Sequence, residues 1–185
     1  MSYLEKYLKY KNKYLILKNQ IGGQIKNACG LIVSAQGKTH RLLFVKNKKG
    51  EYALPGGIIE LKRGETPFPA FRREYEEEVN NTGVITYKFP EEKYGQYDYH
   101  GHTRIYYAET TKPLPNGSVQ NNEVTEVYHM DISKLFLKDA HGNITVNQNL
   151  TRGGGVSIKL VSYVNNSLQA MVKDASFKAF ISKYL

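Results

Sequence analysis

Hydrophobic and polar positions follow two different rhythms along the chain. Over residues 2–20, Tyr3, Tyr7, Tyr10, Tyr14, Leu17 and Ile21 step by four and three, the heptad-like seam of an amphipathic helix. Leu4, Leu8 and Leu15 widen the apolar face, Lys6, Lys9, Lys13 and Lys18 lie mostly opposite, and Gly22-Gly23 stops the helix as a hinge. An apolar stripe this long needs cover. The helix is therefore expected to pack by its tyrosine side, on its own domain or on a second copy as a homodimer. From Asn27 onward short strands take over. Ala28–Ala35 and Arg41–Lys46 read as a hairpin about the turn Gln36-Gly37-Lys38, and Glu51–Leu54 as an extended piece ending at Pro55-Gly56-Gly57. Val84–Phe89, Thr103–Glu109, Val124–His129 and Ile144–Asn147 read as further strands, and the Pro- and Asn-rich Thr111–Asn122 as a loop.

Two helical patterns interrupt the strands, and one or two more close the chain. Pro67–Asn80 starts with a capping Thr66 and a proline in its first position. Asp131 is placed to cap a short helix through Leu137, and Val161–Val172 and Ser176–Leu185 close the chain. Strands and helices mix without strict βαβ alternation, which predicts an α+β fold. The chain divides into a basic leader, residues 1–23, and a domain, residues 24–185.

Composition narrows the class. At 185 residues, with 41% hydrophobic and 23% charged positions, the chain is globular and needs no staples. Its single cysteine, Cys29, excludes an internal disulfide framework and a cysteine-built zinc site. It suits a reducing compartment such as the cytoplasm, or a host cytoplasm or virion if the source is viral. No apolar run is long enough for a membrane span. The net charge of +9 attracts polyanions. Residues 1–23 carry +4 of that excess, so the basic balance does not describe the domain as a whole.

The chemistry concentrates in Gly56-Gly57-Ile58-Ile59-Glu60-Leu61-Lys62-Arg63-Gly64-Glu65 and Arg73-Glu74-Tyr75-Glu76-Glu77-Glu78. Glu74, Glu77 and Glu78 stand at i, i+3 and i+4, on one helix face. Like charges at that spacing oppose the helix, and the C-terminal end of the dipole disfavours Glu77 and Glu78. A divalent cation offsets both costs, because carboxylates gathered on one face make a hard-oxygen site suited to Mg²⁺ or Mn²⁺. A solvated acidic face is the alternative.

This stretch resembles the box of the Nudix hydrolase family: a glycine, a loop glutamate, seven residues, then Arg-Glu-apolar-x-Glu-Glu. Gly57 matches the glycine, Glu65 the loop glutamate, and Arg73, Glu74, Glu77 and Glu78 fall in register, with Tyr75 apolar. There are two departures. Seven residues rather than five separate Gly57 from Glu65, and Asn80 stands where the family has a closing glycine. The resemblance implies a mixed β-sheet sandwiched between helices (α/β/α) and a hydrolase that cleaves a diphosphate linkage by metal-assisted attack of water on phosphorus. It implies that Glu74, Glu77, Glu78 and the Gly57 carbonyl hold Mg²⁺ or Mn²⁺, converging beside the Gly57 backbone, and that Arg73 pairs with Glu65 to pin the loop to the helix. A general base is expected on a later segment. Glu123 is favoured over Glu126, with Glu74 or the metal-bound water alone as alternatives. The catalytic set is then Glu65, Arg73, Glu78 and Glu123.

Substrate choice lies outside the box. Arg41, Lys62, Arg63, Arg104 and Arg152 are candidate anion contacts, and Tyr97, Tyr99, Tyr106 and Tyr107 candidate base-stacking groups. His100 and His102 flank a turn and are read more readily as exposed. Gly153–Gly155 reads as a flexible loop rather than a phosphate cradle. The expected partner is a nucleotide or capped RNA end. An inositol pyrophosphate, or a catalytically weak module used for binding, are the other readings. The leader also resembles the first residues of many giant-virus proteins, which hints at a viral source without adding chemistry.

Overall fold

The computed structural model describes residues 24–36, 39–79, 94–110, 117–118 and 123–185. The expected leader helix, the strand at Val84–Phe89, Asn80 and most of the loop over 111–122 lie outside the described residues. The strands are β1 (Asn27–Gln36), β2 (Thr39–Asn47), β3 (Tyr52–Ala53), β4 (Gly56–Ile58), β5 (Tyr94–Tyr99), β6 (Thr103–Thr110), β7 (Gly117–Ser118) and β8 (Val124–Asp131). They form a mixed sheet in the order β5-β6-β1-β2-β8-β7. β1 and β6 run parallel, and every other pair is antiparallel.

The feature that positions the site is a fork. β1 pairs with β2 only where Val33–Gln36 meet Leu42–Thr39. Toward the start of β1 the two strands part, β3 joins β2, and β4 joins β1. The Leu54-Pro55 link between them fills the gap, with the Gly30 N–H donating to the Pro55 carbonyl at 2.9 Å.

Side-chain alternation along β1 gives the sheet two buried faces. Ala28 and Ile32 pack with Phe71, Tyr75 and Val79 of helix α1 (Pro67–Val79). Cys29, Leu31 and Val33 pack with Val164 and Leu168 of α2 (Ser162–Met171) and with Phe177 and Ile181 of α3 (Ala175–Ile181). The sheet is thus sandwiched between helices, as the family resemblance implies. The Asp174 carboxylate caps α3 by accepting from the Phe177 N–H at 2.9 Å.

Strand β5 forms where no strand was expected. Its residues alternate between exposed and half-buried, the signature of an edge strand, and its tyrosines read as turn chemistry in isolation. It joins β6 through a tight turn in which His100 and Gly101 both take positive φ (51° and 68°). The helix expected through Leu137 is a single turn, Ile132–Leu135, and Asp131 makes no side-chain cap bond. Phe136–Lys138 (β9) instead pairs with Ile144–Val146 (β10), and a second small hairpin joins Thr151–Arg152 (β11) to Val156–Ser157 (β12) across a glycine turn, Gly153–Gly155, in which Gly154 and Gly155 take positive φ (81° and 76°). The extended register places Phe136 in the core and leaves Leu137 and Lys138 exposed. Beyond the hairpins, Lys159–Val161 docks on β3. The Tyr52 N–H donates to the Lys159 carbonyl at 2.8 Å, and the Val161 N–H donates to the Tyr52 carbonyl at 2.9 Å. Among the described residues no helix is long and apolar enough to cross a membrane.

The α1 face tolerates no side chain at Gly30, because a Cβ there would overlap the buried Phe71 ring. Gly30→Ala is expected to lower unfolding free energy by about 1–3 kcal/mol, the usual cost of overpacking. Urea denaturation followed by circular dichroism measures it, and an unchanged midpoint would contradict this packing.

Candidate active site

Helix α1 forms because Phe68, Phe71, Tyr75 and Val79 repeat every three or four residues and give it a core-facing stripe. Glu78 falls within that stripe and is carried inward with it, to 8% exposure. Its carboxylate accepts from the Gly56 N–H at 2.7 Å. Burial pushes the Glu78 carboxyl up to about 8, with the charges of Glu74, Glu123 and Glu77 adding to the rise. Glu74, one turn earlier, faces Gly57. A Cβ on Gly57 would stand 2.5–2.7 Å from the Glu74 carboxylate, so only glycine lets the two meet. Burial also raises the Glu74 carboxyl, against the opposing pull of Arg73. Gly56 is constrained as well. Its φ is 140°, and a Cβ would collide with the Ala28 carbonyl.

Arg73 ties the site to the preceding loop. All five of its N–H donors are used. Nε and Nη2 donate to the two Glu65 oxygens (3.0 and 3.2 Å), Nη1 to Glu74 (2.9 Å) and Glu77 (3.4 Å), and Nη2 also to the Ile58 carbonyl (3.1 Å). Glu65 further accepts from the Glu60 N–H at 2.7 Å. The Arg73 hydrogen bonds hold its carboxyl below the usual range. The lengthened loop contains a 3-10 turn, Leu61–Arg63, closed by Gly64 at φ 72°.

The expected convergence of three carboxylates is met by two. At 100° per residue, Glu78 lies 40° to one side of Glu74 and Glu77 lies 60° to the other. Glu77 therefore faces outward, its side chain 60% exposed and paired with Arg73. Among the described residues no three acidic, histidine or cysteine side chains form a ready-made metal cluster. Glu123, exposed immediately before β8, stands in the electrostatic field of both Glu74 and Glu78. Glu126 is engaged elsewhere, by Arg152 (3.1 Å) and Lys46 (3.4 Å).

The other candidates scatter. Asp98, Arg104, Ala28 and Gly57 make one row across β5, β6, β1 and β4, which puts Arg104 about 10 Å from Gly57. Its guanidinium is held in a two-point pair by Asp98 (2.7 and 2.8 Å). Lys62 and Arg63 are exposed on the loop turn, Arg63 paired with Glu60 at 2.6 Å. Arg41 is paired with Asp131 (3.3 Å) beside Ser34, six residues and roughly 20 Å along β1 from the site. Arg152 lies over the Tyr128 ring and donates to the Tyr52 hydroxyl. Tyr97 and Tyr99 pack on the α2–α3 face, opposite Arg104. Tyr106 and Tyr107 are core residues, buried against Phe71 and Phe177 respectively, so core packing takes up two of the four stacking candidates. His100 is exposed at the turn and leans on Tyr99.

One residue was not anticipated. A cavity of about 340 Å³ opens beside Gly56 and Gly57, walled by Asn27, Cys29, Thr103 and Tyr163. The Tyr163 hydroxyl is within electrostatic reach of Cys29 and Glu78, and burial drives it well above the ordinary phenol range. Burial likewise pushes the Cys29 thiol up to about 12. The sequence signal was an aromatic beside the Val164, Leu168, Met171 stripe, but nothing local says which cavity such a residue meets.

The sequence profile of the NUDIX domain matches residues 24–149. No curated protein matches the sequence. Among solved structures, a Caenorhabditis elegans Ap4A hydrolase complex is 16% identical, with 86% of this chain and all of that chain covered and a TM-score of 0.50. A MutT/nudix family protein from Enterococcus faecalis is 18% identical over 97% of this chain and 73% of that one, TM-score 0.50. The NUDIX domain of Shewanella oneidensis NrtR, complexed with ADP ribose, is 15% identical over 60% and 75%, TM-score 0.45.

The raised Glu78 carboxyl gives a pH signature. Its folded value of about 8 lies above the ordinary 4.5, so between those values the folded chain binds more protons than the unfolded one. Stability then falls as pH rises through that window. Glu74 acts in the same direction. The lowered Glu65 acts oppositely, but only as pH falls below its ordinary value. In EDTA the melting temperature should drop from pH 5 to pH 8, Glu78→Gln should flatten the drop, and Mg²⁺ should raise the wild-type value at pH 8. Scanning fluorimetry with an external dye reads all three.

Proposed function

The chain belongs to the NUDIX family and is by that membership a hydrolase of phosphoanhydride bonds; from this premise we propose a Mg²⁺- or Mn²⁺-dependent pyrophosphohydrolase acting on a nucleotide-type substrate, a nucleoside polyphosphate or a capped RNA end. The observation that carries the reading is the pair of carboxylates, Glu74 and Glu78, held against the bare Gly56–Gly57 backbone while Arg73 locks the loop to the same helix. The donor chemistry fits a hard divalent cation. Glu78 is buried with only a backbone N–H as hydrogen-bond partner among the described residues, and a cation would favour its charged form.

Glu74, Glu78 and the Gly57 carbonyl would hold the ion, with Glu77 turning in from the flank of the helix. Bound there, the metal would neutralise charge on the phosphoryl oxygens and lower the pKa of water. The residues divide the remaining work. Arg73 and Glu65 keep the loop and helix in fixed relation. Water attacks phosphorus, the bond from phosphorus to the bridging oxygen breaks, and the water proton passes to a Glu123 carboxylate oxygen. Support for Glu123 over Glu126 comes from its coupling to Glu74 and Glu78 and from the prior engagement of Glu126 by Arg152 and Lys46. Arg104 and the loop cations Lys62 and Arg63 are the anion-binding candidates nearest this end of the sheet. Arg63, Arg73 and Arg104 already face carboxylates, which disfavours a densely charged inositol pyrophosphate.

Turnover of capped RNA, nucleoside triphosphates, dinucleoside polyphosphates and inositol pyrophosphates with Mg²⁺ tests the reading. Nucleotide-type substrates should be cleaved, and activity confined to inositol pyrophosphates would refute it. Glu78→Gln should abolish most turnover. Near wild-type rates for both Glu77→Gln and Glu78→Gln would remove the metal assignment. Glu123→Gln should lower kcat by ~10²–10⁴-fold with metal affinity kept, and the same loss in Glu126→Gln alone would reverse the ranking.

Residues 24–185 are proposed as the catalytic domain and 1–23 as a basic leader. Deleting 1–23 should leave kcat on a small nucleotide largely intact. It should flatten the salt dependence of long-RNA binding, by roughly 0.7–0.9 in log–log slope for each phosphate that the leader neutralises. A folded but inactive truncation would refute the division.

A further inference from the structure

We propose that the amide-lined cleft between residues 147–150, β12 and the start of α2, with the lysine turn that flanks it, is an exosite for the single-stranded body of an RNA substrate. The inference rests on the nucleotide reading above and deepens it. The preferred substrate is an RNA 5′ end, held at a second point away from the metal site.

Three observations converge. The first is the cleft itself. Gln148, Ser157, Lys159 and Asn165 wall it over an apolar floor of Leu150 and Ile158. Its volume of about 320 Å³ lies at the small end of ligand pockets, roughly 300–1,000 Å³, which suits one nucleoside. The Gln148 and Asn165 amides bond each other reciprocally, at 3.3 and 3.1 Å. That pairing fixes both groups and leaves each oxygen a lone pair, and Asn165 a second N–H, for a ligand. Amide edges over an apolar floor are what an unstacked base, flat and rimmed with donors and acceptors, requires.

The second is the charge at the rim. Lys159 extends from the cleft, its side chain 73% exposed, to Glu51 at 2.6 Å. Lys49 shares that carboxylate. The Glu51 carboxyl is held below its usual range first by the Lys159 hydrogen bond, and the charge of Lys49 adds to the effect. Two lysines on one carboxylate leave a net positive charge, and Lys48 adds to it from the same exposed turn. The turn is ordered in advance. The Asn47 side-chain oxygen accepts from the Lys49 and Glu51 N–H groups at 2.9 and 3.0 Å, and Gly50 takes φ 79°. Binding a phosphate chain therefore need not order the backbone that carries these lysines.

The third is position. Residues 159–161 are clamped to Tyr52 by two backbone hydrogen bonds, which fixes the cleft to β3. That strand runs directly into Leu54-Pro55-Gly56-Gly57, and the step from Tyr52 to Gly56 spans at most about 14 Å of extended chain. A strand whose 5′ diphosphate lies at Glu74 and Glu78 therefore reaches the cleft within a few nucleotides. Asn47 pairs with Val124, so the lysine turn stands at the same end of the sheet as Glu123. The family match ends at residue 149, and most of the cleft is built from residues beyond it. A small nucleotide occupies the metal site alone, whereas an RNA chain engages both points and gains from the linkage.

The test is fluorescence anisotropy of a labelled short single-stranded RNA with the full chain in EDTA, titrated between roughly 50 and 200 mM salt. The leader is present throughout, so its charge cancels from every comparison. Lys49→Ala and Lys159→Ala should each weaken binding and flatten the log–log salt slope by roughly 0.7, the value for one single-strand phosphate. Asn165→Ala should weaken binding about 2- to 13-fold, the worth of one hydrogen bond, with the slope unchanged. Glu51→Gln should tighten binding, an outcome that loss of structure does not produce. All four should keep the wild-type kcat/KM on a nucleoside triphosphate. Lys49 sits on an exposed turn, so its variant reads the exosite even where Lys159→Ala or Asn165→Ala unfolds. Affinity and salt slope unmoved by Lys49→Ala and Glu51→Gln overturn the exosite. A folded Asn165→Ala with unchanged affinity overturns the cleft as the base site. Displacement of the RNA by polyglutamate as readily as by unlabelled RNA overturns the assignment to RNA. A wild-type chain that binds RNA through these residues but cleaves no nucleotide overturns the proposed function instead.

Discussion

Arg73 donates all five of its N–H groups to acceptors on three separate stretches of chain: Glu65 in the loop, Glu74 and Glu77 on its own helix, and the Ile58 carbonyl at the end of β4. Four glutamates within five positions of one helix repel one another. A planar fork of donors answers that repulsion and fixes the loop at the same time. A lysine, a point charge with three donors, could neutralise but could not hold the same three segments in register. The relation between α1, β4 and the loop, and hence the geometry of the site, depends on this one guanidinium.

The fork between β1 and β2 supplies the other half of the site. Because the two strands separate, the Leu54–Gly57 segment can enter the sheet and present backbone, not side chains, to α1. Two glycines in succession make that approach possible, Gly56 through its positive φ and Gly57 through the close seat of the Glu74 carboxylate. Burial then sets the chemistry. Glu78 sits in the apolar stripe of its helix and bears the desolvation cost, whereas Glu77, 100° around the same helix, remains in solvent. Adjacent residues of the same type thereby acquire different protonation behaviour.

The same fork organises the back of the site. β3 receives the Lys159–Val161 segment as an added pairing, and the cluster of Arg152, Glu126, Lys46 and Tyr52 braces it. In that cluster Glu126, the less favoured of the two base candidates by sequence, is already committed to structural partners. The cluster also shows how residues far beyond the acidic helix come to wall the cavity next to it.

Much of this was legible in the residue pattern alone. The period of α1, the i, i+3, i+4 carboxylates, the apolar run of β1 and the two closing helices are local properties, set by helix and strand patterns that act over a few residues, while the Arg73–Glu65 pairing was implied by the family resemblance. Several features were not. The edge strand Tyr94–Tyr99 is stabilised by its pairing with β6, not by its own composition. Tyr106 and Tyr107 are consumed by opposite cores because alternation sends them to opposite faces, and Arg41 is carried to the far end of the sheet by the antiparallel register of β2. The burial of Glu78, the outward turn of Glu77 and the arrival of Tyr163 beside Gly57 were decided by tertiary structure. Each depends on which surfaces meet across elements distant in sequence, and the energies that choose those meetings, burial and desolvation, exist only once the elements are packed.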